Sequence, residues 1–263
     1  MERSLKRRHL FELEDQTWFP VVIRDLMTDY LGHVVGLFDM HLPVVAMISR
    51  LIDSTGCDRI IDLASGGGGP WPKLGPALQS QHPELKVVLT DRYPNLRALE
   101  RVRAKNPDIF DVRNEPVDAR DVPEELSGIR TQFLSLHHFQ EHDVRRIFEN
   151  AIDGNHPIAV FEFQQRTLSN AVQFALSPIF VLILTLMIRP ITLSRVLFTY
   201  LIPIVPLAIG WDGVVSVLRT YTPEELESIV RSVEGSDGYE WSFGVDRSTR
   251  VPCVYAIGKP TES

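Results

Sequence analysis

Arg59-Ile60-Ile61-Asp62-Leu63-Ala64-Ser65-Gly66-Gly67-Gly68-Gly69-Pro70-Trp71-Pro72 is the stretch on which the fold turns. Residues 60–63 form a short, mostly apolar run rich in β-branched side chains, which predicts a buried strand. The glycines that follow permit a sharp turn, positive φ and close approach of backbone to a ligand. Pro70 suits the first position of a helix, where its missing N–H leaves nothing unpaired. Strand, glycine turn and helix in that order present a nucleotide site at the carboxyl end of an open α/β sheet.

The nucleotide is not read as NAD. A dinucleotide fingerprint places a third small residue three positions after the second glycine, and here that position holds Trp71. Pro70 and Pro72 also remove two donors from the helix start that a pyrophosphate would use. Instead, Asp62-x-Ala64-x-Gly66-x-Gly68 resembles the first motif of the class I S-adenosylmethionine (SAM) dependent methyltransferases, with Ala64 at the first glycine. A second strand-like run, Lys86-Val87-Val88-Leu89-Thr90, ends in Asp91. In that family an acid here accepts hydrogen bonds from both ribose hydroxyls, as paired carboxylate oxygens can. The phrases 65–71, 89–95 and 135–139 look like a bacterial-type subgroup with an apolar insertion after strand five. The resemblance covers about residues 55–165 and 212–259.

Composition narrows the alternatives. At 263 residues the chain suits one α/β domain, or one with an insertion. A formal charge of −7 and no basic stripe beyond residue 8 argue against nucleic acid as a partner. The motif of nucleic-acid methyltransferases after strand four is absent too. The basic cluster within residues 1–9 reads as a solvated tail, with anionic lipid as the alternative. Two cysteines, Cys57 and Cys253, predict neither a disulfide framework nor a zinc site, and a reducing, cytoplasmic setting is expected. Residues 3–14 are too charged for a signal peptide.

Taken in order, helical spacing over 11–31 and again over 43–52 predicts an amino-terminal helical cap (1–55). Trp18, Phe19, Tyr30 and His41 either line an acceptor pocket there or simply pack. A helix is expected over 96–105 and a third strand over 112–117, ending in Asp118-Ala119. The resemblance implies that Asp118 meets the adenine amino group and the next backbone N–H a ring nitrogen; the alternative is an Asp that caps the following turn. The fourth strand is placed at 133–136, with Ser135 near the cofactor. His137-His138 follows, and in the family this strand end faces the transferring methyl group. Neighbouring residues of an extended chain point to opposite sides, so at most one histidine is expected to face the site. His138 is the preferred general base and His137 the alternative. No metal is expected, because no partners stand at ligand spacing. Strand five (158–161) ends in Glu162, which either orients a base or acceptor hydroxyl or pairs with Arg166.

Residues 168–211 are the unusual part. Two uncharged runs, 171–188 and 196–211, flank Arg189 and Arg195, and Pro203 and Pro206 break the second. Each is at or below the roughly 20 apolar residues of a membrane span. Three readings compete: a hairpin dipping into one leaflet, a two-pass anchor, or helices buried against the core or a twin subunit. Trp211-Asp212-Gly213 is expected to turn the chain back into the core. Thr222-Pro223-Glu224-Glu225 predicts a capping box opening a helix, and two antiparallel strands (239–243, 251–257) close the sheet. Asp212, Ser216 and Arg219 could hold a polar end of an acceptor, or Arg219 could form a structural ion pair.

The expectation is thus a seven-stranded Rossmann-like methyltransferase sheet: cap 1–55, SAM-binding core 56–167, insertion 168–211 and closing core 212–263. The resemblance implies SAM as cofactor and S-adenosylhomocysteine as product. Asp62, Ala64, Ser65, Gly66, Gly68, Asp91, Arg92, Asp118, Ala119 and Ser135 would hold SAM, and His138, His137 and Glu162 would act on the acceptor. The acceptor is read as a hydrophobic small molecule or lipid, methylated on oxygen. The protein is expected in the cytoplasm, peripheral on a membrane or dimeric through the insertion. The rival is a non-catalytic protein of the same fold, whose hairpin serves assembly or membrane docking.

Overall fold

The strand that precedes the glycines, β1 (Arg59–Leu63), lies at the centre of a seven-stranded sheet. The structure is a computed structural model and describes residues 4–261, so the first three residues of the basic amino-terminal cluster lie outside it. β1 pairs in parallel with β2 (Lys86–Leu89) on one side and β4 (Ile129–Phe133) on the other. β3 (Phe110–Val112) and β5 (Ile158–Glu162) extend the parallel part. β7 (Cys253–Pro260) then runs antiparallel to β5 and carries β6 (Tyr239–Asp246) at the edge. Seven strands closed by an antiparallel pair are as expected, and their order is β3-β2-β1-β4-β5-β7-β6.

Alternation along β1 sends its side chains to two cores. Ile60 joins α2 (Leu42–Thr55), α3 (Trp71–Gln79) and α4 (Leu96–Lys105) on one face. Ile61 and Leu63 join α5 (Glu141–Asp153) and α10 (Pro223–Arg231) on the other. The capping box at Thr222 is formed, with Thr222 and Glu225 each accepting the other's backbone N–H.

Four elements depart from the sequence reading. β4 lies upstream of the run expected at 133–136, because Arg130, Thr131 and Gln132 hide a strand within a polar pattern. They are buried all the same, with Arg130 donating to Asn150 and Thr131 to Asp62. β3 ends at Val112, before Pro116 would remove a ladder donor. The chain over 11–19 is irregular and α1 (Val21–Leu37) starts only after Pro20. Trp211-Asp212-Gly213 is no turn but lies inside α9 (Ile204–Arg219). Gly213 is needed there for packing: a Cβ would come within 2.5 Å of the Phe174 ring.

The insertion is helical. α6 (Leu168–Ala175), α7 (Ser177–Leu184) and α8 (Leu193–Val196) precede α9. Val181, Ile188, Val205 and Ile209 pack on Phe19, Ile23, Met27 and Tyr30 of the amino-terminal part. The opposite side leaves Ile179, Phe180, Ile183, Leu193, Leu201 and Leu207 exposed. No single helix among the described residues is long and apolar enough to cross a membrane, and the three apolar pairs are bent by 82° (α1 with α2), 43° (α6 with α7 and the turn after it) and 70° (193–201 with α9).

Candidate functional site

Four chain segments meet at the carboxyl ends of β1, β2 and β4. After β1 the backbone takes positive φ at Ala64, Gly66, Gly68 and Gly69. Ala64, at φ 55°, occupies a conformation that glycine adopts without strain. A Cβ on Gly67 would lie 2.7 Å from Thr28 of α1, and one on Gly68 2.7 Å from Val102 of α4, whereas Gly66 faces open space. The cap and α4 thus press on the loop from outside, and its accessible edge is the backbone at Gly66.

Asp91, just after β2, meets that edge. Its Oδ2 accepts the Gly66 N–H at 2.8 Å, and its Oδ1 accepts the Tyr93 N–H at 2.8 Å. Asp62 works from beneath. It is buried and accepts from the Ser65 hydroxyl at 2.6 Å and the Thr131 hydroxyl at 2.8 Å, which joins the loop to β4. Burial pushes its carboxyl up to about 7 even against those hydrogen bonds. Asp118 is committed within the protein. Arg120 donates to both its oxygens at 2.9 and 2.6 Å, Arg92 stands 3.5 Å away, and the Arg120 hydrogen bonds hold the carboxyl down at about 2. Ala119 is buried beside it. Ser135, after β4, is buried with a hydroxyl that has no partner, a group that a ligand could satisfy.

At the end of β4 the chain turns through a short 3-10 helix, Leu136–His138, so the two imidazoles lie side by side with ring centroids 4.3 Å apart. Glu162 faces His137 Nδ1 at 3.0 Å, and its other oxygen accepts the His137 backbone N–H at 3.1 Å. Arg166 turns away to Glu225, so Glu162 is paired with the histidine rather than with the arginine.

The residues that sequence reasoning missed come from the irregular segment before α1. Glu12 is fully buried over the histidines, with Oε1 3.9 Å from His137 Nε2 and Oε2 3.2 Å from His138 Nδ1. Asp15 Oδ1 lies 3.0 Å from His138 Nδ1 and Glu14 Oε1 3.8 Å from His138 Nε2. Three residues of α9 secure the segment. Asp212 accepts the N–H groups of Leu13 and Glu14 at 2.6 and 3.1 Å, Ser216 donates to Glu12 at 3.0 Å, and Arg219 reaches Glu12 at 3.2 Å and Asp15 at 2.8 Å. Arg219 therefore makes the structural ion pair. The signal was present as Glu12-x-Glu14-Asp15 between apolar residues, a pattern that its sequence distance from residue 137 concealed.

The electrostatics follow from this crowding. Burial disfavours charge on His138, but Glu12, Asp15 and Glu14 outweigh it and push the imidazole up to about 10. Burial also acts on Asp15, yet His138 and Arg219 hold it well below the usual carboxylate range. Burial, with Glu14 and Glu12 near by, pushes Asp212 up to about 7 despite its two backbone donors.

No protein-family model matches the chain, and no curated protein sequence does. Solved structures do. A candidate O-methyltransferase from Nostoc punctiforme is 14% identical with a TM-score of 0.51, over 91% of this chain and 61% of its own. An O-methyltransferase family protein from Burkholderia thailandensis is also 14% identical, with a TM-score of 0.49 over 85% of this chain and 57% of its own. Human N-acetylserotonin methyltransferase, solved with SAM, is 13% identical with a TM-score of 0.43, over 84% of this chain and 56% of its own. The chain thus spans a little over half the length of these proteins. At such identity the likeness establishes the fold, and the Nostoc structure carries that conclusion.

Proposed function

We propose that the chain transfers a methyl group from SAM to a hydroxyl of an apolar acceptor. The observation that carries this reading is the Asp91–Gly66 contact, which brings the second-strand acid and the accessible edge of the glycine turn together. A ribose diol at Asp91 would meet paired carboxylate acceptors, with the methionine part of SAM over Gly66, whereas Gly68 is buried under Val102 and would shape the turn without meeting it. Ser135 offers a free hydroxyl in the same region, while Asp118 and Arg92 reach the adenine only by sharing their ion pair with Arg120.

The sulfonium supplies an already activated methyl group, so the protein's task is alignment of nucleophile, methyl carbon and sulfur. The acceptor hydroxyl must lose its proton as its oxygen bonds the methyl carbon and the carbon–sulfur bond breaks. The cluster of His137, His138, Glu12 and Glu162 lies beyond the end of β4; Glu12, Asp15 and Glu14 hold His138 protonated, so His138 is not the base expected from the sequence and we assign the proton to His137. Calorimetric titration with SAM and S-adenosylhomocysteine tests the reading. Saturable binding of both, lost in Asp91→Ala, is expected, and failure of both to bind the folded protein would overturn it.

The acceptor class follows from the insertion. Between Arg166 and Asp212 the only charged residues are Arg189, which is exposed, and Arg195, which is buried against Asp29. A wide apolar face without a single carboxylate suits a membrane surface with anionic lipid, from which an apolar acceptor could enter. Sedimentation with phosphatidylglycerol vesicles is expected. A protein that stays in the supernatant and is dimeric would assign the face to a second copy.

A further inference from the structure

The geometry points to a divalent transition-metal site formed by Glu12, His137 and His138. One ligand atom from each of the three lies within 4.8 Å of the others. Around one ion with bonds of about 2.1 Å, two ligand atoms stand about 3.4 Å apart at a tetrahedral angle and about 4.2 Å apart when opposite. Glu12 Oε2 stands 3.2 Å from His138 Nδ1 and Glu12 Oε1 3.9 Å from His137 Nε2, between the separations of ligands at a right angle, about 3.0 Å, and of opposite ligands.

Two further observations point to an ion. Glu12 is wholly buried, and its Oε2 accepts no hydrogen bond: the nearest donor, His138 Nδ1 at 3.2 Å, is hydrogen-bonded to Asp15 instead. An unpartnered carboxylate oxygen shut away from water is costly unless a cation meets it. His137 also carries Glu162 on Nδ1 at 3.0 Å, leaving Nε2 toward Glu12. A carboxylate on one ring nitrogen with a metal on the other is the arrangement that fixes the tautomer and orientation of a ligating histidine. Charge agrees: Glu12, Glu14, Asp15 and Glu162 face the imidazoles, with the Arg219 cation on Glu12 and Asp15.

The donor set selects the ion. Two imidazoles and a carboxylate suit zinc, iron(II), manganese(II) or cobalt(II), whereas magnesium and calcium favour all-oxygen shells. Asp15, 3.0 Å from His138 Nδ1, is the nearest further ligand, and the remaining position would be open to an oxygen of a small molecule. The ion would also fasten the segment around Glu12 to the end of β4. For catalysis the inference rests on the proposed methyl transfer. A bound ion would take up both imidazoles and would make a coordinated acceptor hydroxyl more acidic, leaving Glu14 as the carboxylate to receive its proton in place of His137.

The test uses the full chain, stripped with chelator and dialysed. Cobalt(II) titration followed by visible absorbance, and zinc titration against a chromophoric chelator, should each show one ion per chain, with magnesium failing to compete. Glu12→Gln and His138→Gln should weaken zinc by at least about 100-fold, and Glu162→Gln by about 10- to 100-fold through the orientation of His137. Bound zinc should also slow proteolysis within residues 10–19 in the wild type. Circular dichroism of the same samples checks folding, and Glu162→Gln carries the test if Glu12→Gln does not fold. No saturable uptake by the folded wild type, or affinity unchanged in all the folded variants, overturns the site. SAM titrated into the same preparations separates the two readings. SAM binding without ion uptake removes the ion alone, and ion uptake without SAM binding removes methyl transfer alone.

Discussion

The glycine turn and the histidine cluster lie at the same edge of one sheet but are built in opposite ways. The turn takes its shape from one contiguous stretch, and the group that completes it, Asp91, ends the neighbouring strand. The cluster draws on residues 12–15, 137–138, 162 and 212–219, and it is held by ion pairs together with backbone N–H groups that donate to buried carboxylates. A site made by backbone geometry tolerates changes around it as long as the turn survives. A site made of buried charges depends on every partner, because removal of one leaves another uncompensated.

The largest expected effect tests that dependence. Arg219→Met removes the buried cation from Glu12 and Asp15 and should cost about 3–5 kcal/mol of stability in urea denaturation. A loss below about 1 kcal/mol would mean that the amino-terminal segment is held by its other contacts alone.

Next comes the pH response of Asp62 beneath the turn. Its folded-state value of about 7 lies above that of the unfolded chain, so between these values the folded protein binds a proton that the unfolded one has lost. The contribution of Asp62 should be fully present below about pH 4 and decline by up to about 4 kcal/mol as pH rises through 7. In Asp62→Asn the slope should shrink to the part that Asp212, also raised to about 7, contributes, and a slope unchanged from the wild type would place the titration elsewhere.

Asp91→Ala contrasts function with stability. Loss of charge-assisted hydrogen bonds to ribose should weaken SAM by about 10- to 100-fold, while the urea midpoint should hardly move for this partly exposed side chain. Equal loss of stability and affinity would make Asp91 a structural brace of the turn. The smallest effect concerns Ala64. Replacement by Gly at φ 55° should stabilise by about 0.5–1 kcal/mol, since the strained Cβ disappears. A destabilised Ala64→Gly would show that backbone entropy outweighs the strain there.

Much of the fold was legible because its signals are local. The apolar runs of β1, β2 and β5, the capping box at Thr222 and the glycine turn each declare themselves within a few residues. β4 was misplaced because Arg130, Thr131 and Gln132 look solvent-facing until Asn150 and Asp62 are seen beside the first two. Asp212 and Gly213 read as a turn because their partners, Leu13, Glu14 and Phe174, are distant in the chain.

The amino-acid sequence by itself determined the sheet, the turn after β1, the acid after β2 and the apolar character of residues 171–211. These depend on hydrophobic periodicity and backbone conformation, which act over short distances along the chain. Tertiary structure alone decided that Glu12 and Asp15 lie on the histidines, that Glu162 serves His137 rather than Arg166, and which faces of the insertion stay exposed. Electrostatics and packing act through space, and a buried charge takes whichever partner the fold brings within reach, however far away it stands in the chain.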